Sequence, residues 1–145
     1  MTEVYVPQLS VQILLTVVTL GYSLIPCLAD FNETHATNPL WTGHARYHVV
    51  WQVMSYVFIA LGVLYLIWAP SDDAFFRLNL AGYCAIAVYG GFFSALLFMP
   101  LYRGKTADVN GVPMIKFGDR LIDLNITVFT IITILLIIAE YLLHK

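Results

Sequence analysis

Charge is scarce in this sequence: Asp, Glu, Lys and Arg make up 11% of its residues, against about 25% in ordinary water-soluble domains. Seven Lys and Arg set against nine Asp and Glu leave a net charge of −2. The basic residues form no cluster that would hold phosphates, which excludes nucleic acid as a partner. Cysteine is equally thin. Cys27 and Cys84 stand alone in apolar segments without a CxxC pair, so they read as small core residues, not as a disulfide framework or thiolate metal site. A GxGxxG fingerprint, a Walker-type loop and a nucleophile elbow are all missing, and no nucleotide cofactor is expected.

What the chain has in excess is apolar surface. Hydrophobic residues make up 60% of its 145 positions and the mean hydropathy is +0.80. A soluble domain of this length would have nowhere to bury so much. Four stretches each approach the roughly 20 apolar residues that a bilayer crossing needs. The expected fold is all-α: an integral membrane four-helix bundle forming one domain over residues 1–145, with spans at about 9–29, 45–69, 78–101 and 121–143. Loop one (from Asp30) and loop three (from Tyr102) are long and polar and share one side of the membrane. Loop two (Pro70 to Arg77) is a tight turn on the other side, with both termini.

Orientation follows from the basic residues. Arg46, Arg103, Lys105, Lys116 and Arg120 lie on the side of loops one and three, and only Arg77 and Lys145 lie opposite. The positive-inside rule then places loops one and three in the cytoplasm. Cys27-Leu28-Ala29 has the small residues of a signal-peptide cleavage site, but no positive segment precedes it and Glu3 is the only charge there, so the first span is expected to be retained. Asn32-Glu33-Thr34 and Asn125-Ile126-Thr127 match the glycosylation pattern on the cytoplasmic side and are set aside. In the third span Ala87, Gly91 and Ala95, with Gly90 and Ser94 beside them, are expected to form the seam where helices approach closely.

Polar residues collect in loop one. Between Asp30 and His48 lie three of the four histidines and the carboxylates Asp30 and Glu33. Asn38-Pro39 is a helix-start signal, with Asn as cap and Pro at the first helical position. A helix from there puts His44 and His48 one turn apart on one face, which Gln52 and Ser55 continue into the membrane. Two histidines at that spacing can chelate one metal ion, and imidazole suits iron, copper or zinc. Asp30, Glu33 and His35, just upstream, would complete a shell. The plainer alternative is that the histidines hydrogen-bond to headgroups or loop backbone.

A second polar stripe begins on the same side. Asp119, Asp123, Thr127 and Thr130 recur at helical spacing. Asp119 reads as the cap of the fourth helix after Gly118. Asp123 sits deeper, where an ionised group is costly unless a partner (Arg120 or Arg46) or a metal offsets it. Together these give a candidate centre of Asp30, Glu33, His35, His44, His48 and Asp123, with Gln52 and Thr127 in support. Trp41, Arg46, Tyr47 and Gln52 are the candidate substrate contacts, although the aromatic residues suit an interfacial belt equally well and Glu33 would pair with Arg46. Haem is excluded, because His44 and His48 share one helix and His144 lies a membrane thickness away. Glu140 and His144 read as a surface contact on the last turn.

The string Asp30-Phe31-Asn32-Glu33-Thr34-His35, then Asn38-Pro39-Leu40-Trp41, then His44-Ala45-Arg46-Tyr47-His48 resembles the signature of a group of small four-span membrane proteins of bacteria and fungi. Their first long loop carries D-[FW]-N-x-T-H followed by N-P-x-W-x-x-H-A-R-[FY]-H. The resemblance implies that Asp30, His35, His44 and His48 act together, and it names no reaction. In size and span number alone, the chain is also similar to small anthrone oxygenases; no motif is shared, and fold-level likeness carries no chemistry.

The leading expectation from sequence is a membrane-embedded, metal-dependent oxidoreductase or oxygenase acting on a lipophilic small molecule. Asp30, His35, His44 and His48 would hold iron or copper, with zinc as a variant. Two histidines and a carboxylate with open positions is the pattern of oxygen-activating non-haem iron sites. The second expectation needs no metal: histidine and carboxylate performing acid–base chemistry on a sterol- or terpenoid-like substrate, as an isomerase or cyclase would. The third is an accessory subunit of a larger membrane complex, with loop one as its docking surface. Membrane lipid is a partner in every case, and a homo-oligomer fits each.

Overall fold

Inward-facing side chains recur on each helix in steps of three and four residues, the period at which a helix keeps one stripe against its neighbours. A computed structural model describes residues 8–145; Glu3, used above against a signal peptide, lies outside them. Helix α1 (Leu9–Asp30) buries Val11, Leu15, Val18 and Tyr22. Helix α2 (Gly43–Trp68) buries Val53, Ala60, Val63 and Ile67. Helix α3 (Ala74–Phe98) buries Leu78, Ala81, Ala85 and Val88, and α4 (Leu124–Leu143) buries Phe129, Ile132, Leu136, Ala139 and Leu143. Apart from Val53, these residues form one core. Helix α1 packs against the other three, and α3 also packs against α2 and α4, so the helices follow chain order around the bundle with α1 and α3 across its shorter diagonal.

Even the shortest helix, α4, has 20 residues and so extends about 30 Å, the thickness of a bilayer's hydrocarbon core. All four are long and apolar enough to cross a membrane. Large apolar residues such as Phe58, Tyr65, Leu97 and Ile137 are exposed on the outside of the bundle, where lipid can cover them. The protein is a multi-pass membrane protein with an all-α four-helix bundle.

Close approach of α1, α3 and α4 depends on one glycine. A Cβ at Gly21 would meet Ile132 and the Tyr89 hydroxyl. Its absence lets Tyr89 of α3 donate a buried 2.8 Å hydrogen bond to the Val18 carbonyl of α1. The small-residue seam lies elsewhere than expected. Gly91, Ala87 and Ala95 are exposed, and a Cβ at Gly90 or Gly91 would meet nothing within 4 Å. The contact face of α3 instead runs through Ala81, Gly82 and Ala85, a register that the bulky partners Leu78 and Tyr89 select by filling the centre of the bundle.

Two helix starts also differ from expectation. Helix α2 is capped by Thr42, whose hydroxyl accepts from the Ala45 amide at 3.2 Å, and not by Asn38, whose carboxamide is used in a buried turn upstream. Helix α4 is capped by Asp123, not Asp119. Residues before Asp123 form a short hairpin, β1 (Ile115–Phe117) and β2 (Arg120–Ile122), paired antiparallel. Asp119 lies in its two-residue turn beside Gly118, which has φ +60°, the left-handed backbone that tight hairpin turns require. Loop two is held by Arg77, which donates to the carbonyls of Tyr65, Ala69 and Pro70 at the end of α2.

Candidate functional site

The residues that follow α1 form a hydrogen-bonded knot that orients one histidine. Asn32 donates from Nδ2 to the carbonyl of Ala29 at 2.8 Å, which fixes its Oδ1 as an acceptor. That oxygen receives the Thr34 amide at 2.8 Å and the Thr34 hydroxyl at 2.6 Å. The single hydroxyl proton is thereby committed. Thr34 Oγ1 lies 2.7 Å from His35 Nδ1, and with its proton spent it acts there as an acceptor. This network places the proton of the neutral ring on Nδ1 and leaves Nε2 with its lone pair. Among the described residues Nε2 has no hydrogen-bond partner. Asp30 Oδ1 lies 3.5 Å from the same Nδ1, where its charge would stabilise a protonated ring. The spacing Asp30-x-Asn32-x-Thr34-His35 thus supplies a carboxylate, a clamp, a relay hydroxyl and a base.

This dyad lines a cavity of about 540 Å³ at the loop-one end of the bundle, within the range of roughly 300–1,000 Å³ usual for small-molecule sites. Ile25, Phe92, Leu96 and Phe129 give it apolar walls, while Gln52, Tyr56, Lys105 and Asn125 add polar groups. Gln52 donates from Nε2 to the Tyr56 hydroxyl at 3.2 Å, which leaves that hydroxyl's own proton available to a bound molecule. Gly91 and Ala95 also line the cavity, and their small side chains are the reason that this end of the bundle is hollow.

Loop three is tied across loop one beside the cavity. Asn38 is fully buried and forms a reciprocal amide pair with Asn110, at 3.1 and 2.8 Å. It also donates to Thr34 O and accepts from Leu40 N. Trp41 Nε1 donates to Asp108 Oδ2 at 2.7 Å, and its ring stands edge-on to His35 at 5.2 Å. Asp108 is exposed, and the Trp41 hydrogen bond, aided by the Val109 amide, holds its carboxyl below the usual carboxylate range.

The other expected site residues fall outside this arrangement. His44 and His48 form their own pair on α2, with Nε2 atoms 3.0 Å apart; both are exposed. Neither lines the cavity that holds His35. Among the described residues no three of His, Cys, Asp and Glu gather as a metal-holding group. Tyr47 is exposed and packs on His48 and Trp51. Arg46 and Glu33 form no ion pair, nor does Asp123 with Arg120 or Arg46, among the described residues. Asp123 Oδ1 accepts from Ile126 N at 3.1 Å as the cap, and its buried Oδ2 has no hydrogen-bond partner among the described residues. Glu140 and His144 do meet, at 3.9 Å, at the far end.

Tyr56, Lys105 and Asn125 are site residues that the sequence did not single out. Tyr56 stands four residues after Gln52, so extending the polar face of α2 by one more turn would have found it. Nothing in the sequence marks Lys105 or Asn125, which reach the cavity from loop three and the first turn of α4. The chain matches no family model, no curated protein and no solved structure.

Proposed function

We propose that this protein is a membrane-embedded acid–base enzyme that moves a proton on a lipophilic small molecule, in the manner of an isomerase or cyclase. The observation that carries the reading is the Asp30–Thr34–His35 constellation, with an unpartnered Nε2 on a residue that lines a largely apolar cavity. A substrate enters from the bilayer and lies against Phe92, Leu96 and Phe129. His35 Nε2 takes the proton, and Asp30 stabilises the imidazolium that results. The Tyr56 hydroxyl, accepting from Gln52, donates a hydrogen bond to an oxygen of the substrate and stabilises the negative charge that develops there, and the imidazolium returns its proton to the substrate at another carbon.

The test uses purified protein in nanodiscs, incubated in D2O with a lipid extract of the source cells and read by mass spectrometry. A lipophilic species gains deuterium with wild type. Because general acid–base groups contribute on the order of 10²–10⁴-fold, His35→Gln lowers that gain at least about a hundredfold. Asp30→Asn lowers it as well, and Asp30→Glu restores part of it. A wild-type protein that exchanges no deuterium overturns the reading.

A second reading, metal-dependent oxidation, is favoured by the His44–His48 pair, whose Nε2 separation of 3.0 Å suits two ligands of one ion. The described residues do not complete a shell, so iron, copper or zinc would need ligands from a second copy or a substrate. Elemental analysis of wild type beside His44→Ala/His48→Ala tests it. Near-stoichiometric metal that the double variant loses, with oxygen-dependent products 16 mass units heavier, would favour it over acid–base chemistry.

A further inference from the structure

The cavity beside the dyad continues into a second one of about 320 Å³, and His35, Lys105, Thr106 and Asn125 line both. Their chemistry differs. The first is walled by helix side chains, apolar ones such as Ile25, Phe92 and Leu96 together with Gln52 and Tyr56, whereas the loop residues Trp41, Arg103 and Asp108 line only the second. Asp108 remains a charged carboxylate, its oxygens held by Trp41 Nε1 and the Val109 amide, each at 2.7 Å, and Lys105 is the cation near enough to stabilise it. Arg103 has no ion pair and no side-chain hydrogen bond among the described residues. Its backbone lies at φ 55°, a left-handed conformation that residues other than glycine and asparagine adopt at a cost. An arginine held in that conformation beside a lysine, with its guanidinium unmatched, presents a planar fork of donors suited to an oxyanion.

We propose that the substrate is an amphiphile. Its apolar tail fills the first cavity, and a single oxyanion head, a phosphate or carboxylate, binds Arg103 and Lys105 in the second. The carbons next to the head then lie beside His35, which both cavities share. This inference rests on the acid–base reading above and narrows its substrate class.

The experiment uses the full chain in phosphatidylcholine nanodiscs, with Trp51→Phe and Trp68→Phe so that emission comes from Trp41 in the second cavity. The probes are dodecyl phosphate, dodecanoate, dodecanol and inorganic phosphate. Charge-assisted hydrogen bonds to the two cations make the two anionic amphiphiles shift Trp41 emission at concentrations at least about tenfold lower than dodecanol. Arg103→Asn with Lys105→Gln abolishes that preference, so that the anionic amphiphiles act no better than dodecanol on the same variant; Asn accepts the left-handed backbone, and an unaltered elution volume confirms folding. Equal responses in wild type, or a preference that survives in the double variant, overturn the proposal. Inorganic phosphate acting at the same concentrations as dodecyl phosphate overturns it too, by showing a site for free anions. If the anion preference is absent while His35→Gln still abolishes deuterium gain, this inference fails and the acid–base reading stands. If the preference is present and wild type exchanges no deuterium, the reverse holds.

Discussion

A hydroxyl has one proton, and where Thr34 spends its proton decides what His35 can do. Because Asn32 Oδ1 takes it at 2.6 Å, the Thr34 oxygen is left to accept from His35, and Nε2 becomes the basic nitrogen. The sequence pointed to Asp30 and His35 as chemical groups, whereas Asn32 and Thr34 stood in the motif string and in a glycosylation pattern with no role attached. Their roles depend on the position of the Ala29 carbonyl at the frayed end of α1, and no spacing rule supplies that. Asp108 illustrates a second residue-scale effect. Its folded-state carboxyl is held below the unfolded value by the Trp41 and Val109 hydrogen bonds. The stabilisation is therefore fully present above the unfolded value of about 3.9 and is lost as pH falls through the lower folded one. With Trp41 as the sole tryptophan in a His35→Gln background, which removes the adjacent titratable ring, its emission is expected to hold steady from pH 7 to about pH 4 and to change only below that range. Asp108→Asn gives the altered emission at every pH.

At the scale of elements, α3 reversed the expected use of its small residues. A stripe of Ala87, Gly91 and Ala95 resembles a packing seam, yet it faces open space, because Leu78, Ala85 and Tyr89 carry the contact with α1. Gly91 thus bears on the cavity and not on the packing seam. Gly91→Leu is expected to keep or raise the thermal midpoint in nanodiscs, since glycine is the poorer helix former, while abolishing deuterium incorporation as its side chain enters the hollow end of the bundle. The opposite holds for the turn that joins loops one and three. Asn38→Ala removes the partner of the Asn110 amide and the Leu40 N–H, both part-buried, which costs about 1–2 kcal/mol. It should lower the thermal midpoint and speed proteolysis in residues 106–113. A midpoint equal to wild type would show that the Asn38–Asn110 pair contributes nothing.

For the whole molecule, one chemical asymmetry runs from end to end. The loop-one end holds the dyad, the two larger cavities and five of the seven basic side chains, whereas the other end has a smaller cavity of about 230 Å³ beside loop two, with Arg77 and the Glu140–His144 pair. The basic bias gives the expectation that these loops face the cytoplasm. A cysteine at Val109, which is 96% exposed, should escape a membrane-impermeant maleimide in intact cells and react once they are permeabilised. Reaction in intact cells would reverse the orientation.

The sequence by itself determined the four spans, because a bilayer admits only helices whose side chains match it along their whole length, and that match is a sum over composition. It also determined that polar groups concentrate in loop one, where Asp30, His35 and their neighbours stand out in an otherwise oily chain. Which of those groups meet was decided by the tertiary structure. His35 turns toward Asp30 and the cavity while His44 and His48 stay together on the outside of α2, although all three are close in sequence. Asn38 leaves the helix to bind Asn110, 72 residues away, and Lys105 and Asn125 arrive from the far half of the chain. Hydrophobicity accumulates along a chain and can be read locally, whereas a hydrogen bond or a cavity wall needs two distant segments to be within a few ångströms, and only the packed bundle sets that distance.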